Sequence, residues 1–395
     1  MRDGKCVKPI PARLKRQPVP RGNQREYLEP TMNRRTFVTA TTLGAASSAC
    51  SSEPAATEPA LPPMRMHVGA QRSPTDKEIL QFLKRHGVDH CCGYPPHPGD
   101  RGHWSPEDLV KTRELCESAG VALDMVALPF LASSHIDRES RGAIMLGQSP
   151  QRDRDIDDIH KMIEGCAAAG IPAFKYNMSI LGVLRTEPTP GRGGARYSTW
   201  RLDEAVADPP LTRAGRVDED TAWERITYFL DRVIPVANEF QIRAACHPHD
   251  PGVPPEGYQG VARVLGTPEG LYKFMGIQES PYHGFNLCLG TTSEMLQDPA
   301  TQIHDVIRRI GSAKKIFNIH FRNIVGKRDS FQEVYPDEGD MNMVAVARTL
   351  WEVDYPYMLM PDHMPRHDDD PNGRQGFAYG FGYIKGLLQA LRESA

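Results

Sequence analysis

The chain carries no Cys-x-x-Cys pair, no Gly-x-Gly-x-x-Gly turn and no block of like charge. After its first 60 residues it also has no apolar run of the ~18 residues that a membrane-spanning helix needs. Each absence excludes something. A formal net charge of -3 offers no basic field for nucleic acid. Without the glycine-rich turn after the first strand, a doubly wound dinucleotide-binding sheet loses its phosphate cradle. Cys91, Cys92, Cys116, Cys166, Cys246 and Cys288 mostly sit inside apolar runs, as buried free thiols do. What remains is ordinary globular composition, 39% hydrophobic and 25% charged over 395 residues.

The N-terminal region reads differently. Residues 1–30 are basic and Pro-rich without periodicity. Arg34-Arg35, followed by Thr36-Phe37 and a mild apolar stretch to Ala46, has the form of a twin-arginine export signal. On that reading Met32 is the start of the protein, and the chain is exported to the periplasm. Cys50 after Ser48-Ala49 offers a lipid anchor, and Ser51 to Pro63 is an Ala/Pro/Glu linker. If the signal does not function, the protein is cytoplasmic. Residues 1–63 are therefore expected to be a disordered signal and linker, and residues 64–395 the folded domain.

From Met64 onward, strand-length apolar runs alternate with helical periods. The predicted strands lie at 65–70, 88–94, 121–128, 172–178, 241–248, 284–291, 315–324 and 355–363. Helices are expected between them, including 105–120, opened by Ser105 and Pro106 and closed by Gly120. A further one is expected across 261–275, and a last one near 376–393. A long polar excursion, 179–216, follows the fourth strand. Eight consecutive strand–helix units predict a closed (β/α)8 TIM barrel, α/β in class.

In such a barrel the chemistry lies at the carboxyl ends of the strands. There the fifth strand presents His247, the sixth Cys288, the seventh His320 and the eighth Asp362. Taken singly, each has a plainer role: a hydrogen-bonded histidine, a small core residue, a helix cap. Together, at equivalent places on adjacent strands, they read as a metal site. Imidazole, thiolate and carboxylate donors suit Mn²⁺, Fe²⁺, Co²⁺ or Zn²⁺ better than Ca²⁺. His363, next to Asp362, is the candidate proton carrier. Arg322 and Arg185 are candidates for gripping a substrate carboxylate, with Asn177 and Asn323 beside them; the alternative for each arginine is an ion pair. His249, His283, His304 and His367 lack such placement.

The segments "FKYNMSILGVLRTEP" (174–188), "HPHDPG" (247–252), "NLCLGTTSEM" (286–295), "IHFRNI" (319–324) and "YMLMPDHMPR" (357–366) resemble the motifs of the metal-dependent mannonate dehydratase family. The resemblance runs from about Met64 to the C-terminus. It implies dehydration of D-mannonate to 2-keto-3-deoxy-D-gluconate, a step of glucuronate breakdown. It also implies a divalent metal, Mn²⁺ first and Fe²⁺ or Co²⁺ next, on His247, Cys288, His320 and Asp362. The partner is then a small sugar acid, not nucleic acid, and a homo-oligomer is compatible. The family's catalytic Tyr falls on Phe377, leaving Tyr379 as the substitute hydroxyl. Its "HPDDPP" is "HPHDPG" here and its "FHE" is "FQE" at 331–333. Members of the family work in the cytoplasm. An isomerase or epimerase of the same barrel group, or a non-catalytic sugar-acid-binding relative, are the alternatives.

Overall fold

Eight parallel strands form a ring whose seam lies at a glycine. The structure, a computed structural model, describes residues 61–394. The expected export signal, Cys50 and most of the expected linker lie outside them. Strand β1 comes in two halves, His67–Val68 and Ala70–Gln71, on either side of Gly69. The others are β2 (His90–Gly93), β3 (Ala122–Ala127), β4 (Ala173–Asn177), β5 (Arg243–His247), β6 (His283–Cys288), β7 (Ile316–His320) and β8 (Met358–Met360). The first half of β1 pairs with β8 and the second with β2. The remaining strands pair in chain order, all parallel. The ring is thereby closed, as the alternation of strand and helix periods predicts.

Local chemistry places the elements. Ser105 and Asp108 form a reciprocal capping box at the start of Pro106–Ser118, with Pro106 in the first turn. Asp76, Asp218 and Asn342 cap three other helices through their side-chain oxygens. Inside the ring, Ala127, Ala173 and Ala245 alternate with the bulkier Met125, Phe317, Met358 and Met360. This mixture fills a small barrel as layers of side chains rather than a pore. A larger apolar layer, including Phe174, Phe229, Phe274 and Phe285, joins the ring to its helices.

Three expectations are corrected. The seventh strand, expected to run to Ile324, ends at His320. Phe321 N still donates to Met360 O (2.7 Å), but Arg322 turns into a nest of buried carboxylates. Asn323–Lys327 then leaves the ring to pair with Ser330–Val334. The helix expected across 261–275 is confined to Pro268–Met275, because Thr267 caps it and Arg263 is drawn inward to the carbonyls of Gly182 and Asp250. The end of the expected linker already docks on the barrel, where Trp351 Nε1 donates to Pro62 O at 2.6 Å. Within the polar excursion, Thr199–Arg201 adds a strand to the Asn323–Val334 hairpin. This three-stranded sheet brings Glu333 to the ring's mouth. Among the described residues, no helix is long and apolar enough to cross a membrane.

Gly69 tests the closure. A Cβ there would lie 2.7 Å from Met358 Cβ and 2.6 Å from its sulfur. Gly69→Ala is expected to cost about 1–3 kcal/mol by overpacking, read as a lower midpoint of chemical denaturation. An unchanged midpoint would show that the seam is looser than the backbone implies.

Candidate metal centre

His247 and Cys288 are the last residues of β5 and β6, His320 is the last of β7, and Asp362 follows β8 by two residues. Ring closure therefore brings their side chains together. One donor atom from each of His247, Cys288 and His320 lies within 4.8 Å of the other two. Asp362 Oδ2 is 3.3 Å from His320 Nδ1 and 3.9 Å from Cys288 Sγ. His320, Cys288 and His247 are buried.

The surroundings prepare these atoms as donors. His247 Nδ1 donates to Pro248 O at 2.7 Å, which leaves Nε2 with its lone pair free. Burial, aided by Lys175, pushes the His247 imidazole down to about 4, so it is neutral at ordinary pH. His320 Nδ1 is buried without a hydrogen-bond partner, while its Nε2 lies 3.3 Å from Gln71 Oε1. Burial raises the Cys288 thiol, but the Arg322 charge and His320 outweigh it and hold the thiol below its ordinary value. Burial likewise opposes ionisation of Asp362, yet His363 and His320 keep it well below the carboxylate range. Two imidazoles and a thiolate-prone sulfur meet at one point, with a carboxylate beside two of them and an orphaned buried nitrogen among them. That set fits a divalent transition metal.

Beside it lies a cavity of about 130 Å³. Lys175, Asn177, Asp250 and His363 line it together with His247, His320 and Asp362. Lys175 Nζ donates to Gln71 Oε1 at 3.0 Å, and burial lowers its pKa. Asn177 Oδ1 is buried and unpartnered, so it is free to accept from a ligand. His363 has a φ of 35°, a left-handed value uncommon outside glycine. Its Nδ1 lies 3.0 Å from Glu333 Oε1 and 2.5 Å from Arg322 Nη1. Although burial opposes its charge, Asp362 and Glu333 lift it to about 9. Glu333 and Arg322 thus hold Nδ1, whereas Nε2, 3.9 Å from Asp362 Oδ2, stands outside that network.

Behind the cavity is a buried charge network. Arg322 Nη2 donates to Asp250 Oδ2 (2.9 Å), Thr291 Oγ1 (2.7 Å) and Glu294 Oε1 (3.0 Å), and Nη1 donates to Glu333 Oε1 (2.6 Å). Arg185 pairs with Asp250 Oδ1 (2.6 Å) and with Glu333. Against the pull of burial, the two guanidinium groups hold Glu333 down to about 2 and Asp250 well below its ordinary value. Burial and the Asp250 charge push Glu294 well above the carboxylate range. Two arginines thus balance two carboxylates, with Glu294 neutral.

Several expected site residues sit elsewhere or act differently. Arg322 is 1% exposed in its side chain and spends its guanidinium ends on the network; three buried carboxyl groups claim them before a ligand can. It is a positioning residue for Asp250, Glu333 and His363. Arg185, 14% exposed, is likewise tied to carboxylates, although it also lines a neighbouring cavity with His363. Asn323 is buried, and its Nδ2 donates to Pro336 O and Met341 O; it fastens a loop. Tyr379 does not line the cavity. Helical periodicity on Arg374–Glu393 turns Gly376, Gly380 and Phe381 inward and Tyr379 outward, 39% exposed, its ring 5.5 Å from that of Tyr335. Phe377 packs under Arg72. His249 and His283 are buried against the carbonyls of Met178 and Phe274.

Lys175, Gln71, Asp250 and Glu333 received no role from the sequence. Gln71 could have been found as the polar residue ending an apolar strand, and Lys175 as the one charged residue within another. Glu333 could not, since it arrives from a hairpin outside the ring.

Glu333→Ala leaves Arg185 and Arg322 short of a buried partner, so a loss of about 3–5 kcal/mol in unfolding free energy is expected. A denaturation midpoint within experimental error of wild type would contradict the paired network.

Residues 209–395 match the family model described as D-mannonate dehydratase (UxuA). The chain is 27% identical over 328 residues to a mannonate dehydratase of Thermotoga maritima, covering 73% of this chain and 86% of that protein. It is 27% identical over 353 residues to mannonate dehydratase 2 of Halalkalibacterium halodurans, covering 80% and 97%. Among solved structures, the mannonate dehydratase of Streptococcus suis serotype 2 superposes with a TM-score of 0.71 at 24% identity, over 84% of this chain and 95% of that one. A D-tagatose 3-epimerase-like protein superposes at 0.51 and 16% identity, over 84% and 99%. These superpositions establish a shared barrel.

Proposed function

We propose that this chain belongs to the mannonate dehydratase family, which its similarity to those proteins supports, and that it is a metal-dependent hydro-lyase converting D-mannonate to 2-keto-3-deoxy-D-gluconate and water. The observation that carries the reading is the meeting of His247, Cys288 and His320, with Asp362 against the last two, beside a polar cavity. Those four would hold the ion, with Mn²⁺ our first choice and Fe²⁺ or Co²⁺ next. When bound, it supplies Lewis acidity for the charge that develops on the substrate.

Dehydration requires a proton to leave the carbon beside the carboxylate and a hydroxide to leave the next carbon. One base and one acid are needed. The cavity holds two proton-carrying groups pushed in opposite directions. Burial lowers the pKa of Lys175, and its amine serves as the base. Asp362 and Glu333 keep His363 protonated, and it delivers the Nε2 proton to the departing hydroxyl. Asn177 Oδ1 accepts from a substrate hydroxyl. In this assignment the amine of Lys175 takes over a duty that a hydroxyl at Phe377 would otherwise hold.

Metal-loaded protein incubated with D-mannonate is expected to yield a 2-keto-3-deoxy acid; an isomeric aldonate, or binding without turnover, would refute the lyase reading. Lys175→Met and His363→Asn should each retain one ion at the centre and lose about 10²–10⁴-fold in turnover. Cys288→Ser should lose the ion of this centre, read by elemental analysis as about one equivalent fewer than in the wild-type chain.

Arg34-Arg35 and the apolar stretch after them support export of the folded, metal-loaded chain, with Cys50 as the anchor point. Fractionation should find the protein outside the cytoplasm, and Arg34→Lys with Arg35→Lys should retain it inside. Equal distribution of both forms would end that reading.

A further inference from the structure

A second cluster of donor atoms lies at the opposite end of the ring. His67 opens β1, His90 opens β2, and Asp124 is near the start of β3. His67 and Gln71 lie four residues apart on β1, which is about 13 Å along a strand, and Gln71 is the residue that reaches His320. At the lower end, His90 Nδ1 is 2.8 Å from Asp124 Oδ2, and His67 Nε2 is 3.6 Å from the same oxygen. The three donor atoms lie within 4.8 Å of one another, and the two imidazole centroids are 3.9 Å apart.

Two details distinguish this from an ordinary histidine–carboxylate pair. His67 Nδ1 lies 3.0 Å from Arg65 O, the geometry of a ring N–H donating to a carbonyl. That sets the tautomer in which Nε2 carries a lone pair, as in metal-bound histidines. Nε2 itself is buried and lacks a hydrogen-bond partner. One carboxylate serves His90 fully and leaves His67 facing it across a gap too long for a hydrogen bond. Meanwhile, the side chains of all three residues are 28–33% exposed, so an ion could enter from solvent. The neighbouring cations are engaged: Arg65 is paired with Asp354 (2.7 Å), and Arg243 stacks on Tyr357 (4.4 Å).

We propose that His67, His90 and Asp124 form a second divalent-cation site at the amino-terminal end of the barrel. Two imidazoles and one carboxylate, with coordination positions open to water, suit Zn²⁺, Ni²⁺ or Co²⁺ and are too nitrogen-rich for Ca²⁺ or Mg²⁺. The ion ties the first three strands together next to the Gly69 seam, where β1 is split into two short halves. It takes no part in the dehydration, so the proposal stands or falls separately from the lyase reading.

The probe is Co²⁺. The full chain, stripped by chelator, is titrated calorimetrically while its absorption spectrum is recorded. Two equivalents are expected, only one of them giving the near-ultraviolet thiolate-to-cobalt band of Cys288. His67→Asn and His90→Asn should each reduce the count to one, keeping the thiolate band and the turnover of the metal-loaded enzyme. Cys288→Ser should lose the band and still bind an equivalent. A single equivalent in the wild-type chain overturns the proposal without recourse to any variant. So does an undiminished count of two in both histidine variants.

Discussion

The guanidinium of Arg322 holds the mouth of this barrel together. It is buried just past the tip of β7 and bound at once to Asp250 from the loop after β5, to Glu294 at the end of the short helix Leu289–Ser293 after β6 and to Glu333 from the outer hairpin. Such a cation in an apolar interior survives only with carboxylates around it, and they survive only with it. The mutual requirement pins several chain segments to one another. It also sets the field around the metal donors: the same charge favours the thiolate of Cys288 and, through Glu333, orients His363.

From that constraint the chemistry of the cavity follows in order. Asp250 and Glu333 stay ionised because arginines face them, and Glu294 gives up its charge because two anions are already present. His363 gains a proton because Asp362 and Glu333 flank it. Lys175 has no carboxylate hydrogen-bonded to its amine, only the amide of Gln71, and burial lowers its pKa. Two proton-carrying groups lining one cavity are thus shifted in opposite directions by unlike surroundings.

Parallel closure uses the two ends of the ring differently. The upper end gathers histidines, cysteine and carboxylate around a cavity; the lower end gathers His67, His90 and Asp124. Between them the interior is filled by alanine, methionine and phenylalanine, which separates the two polar ends by an apolar layer.

The eightfold alternation, the capping box at Ser105 and the placing of His247, Cys288, His320 and Asp362 at strand tips were legible in the sequence, because periodicity and helix caps are local properties. So was the resemblance to the mannonate dehydratases, through motifs that keep their order. Which polar groups face one another was not legible. Arg322 looked like a substrate clamp until folding surrounded it with three carboxyl groups. Tyr379 looked like a replacement hydroxyl until the phase of its helix turned it to solvent. Glu333 and Lys175 gained their meaning only when a hairpin and a strand from distant parts of the chain met at one cavity. The partners of a buried charge come from residues up to 148 positions away, and pairing over that separation is settled by ring closure, not by neighbours along the chain.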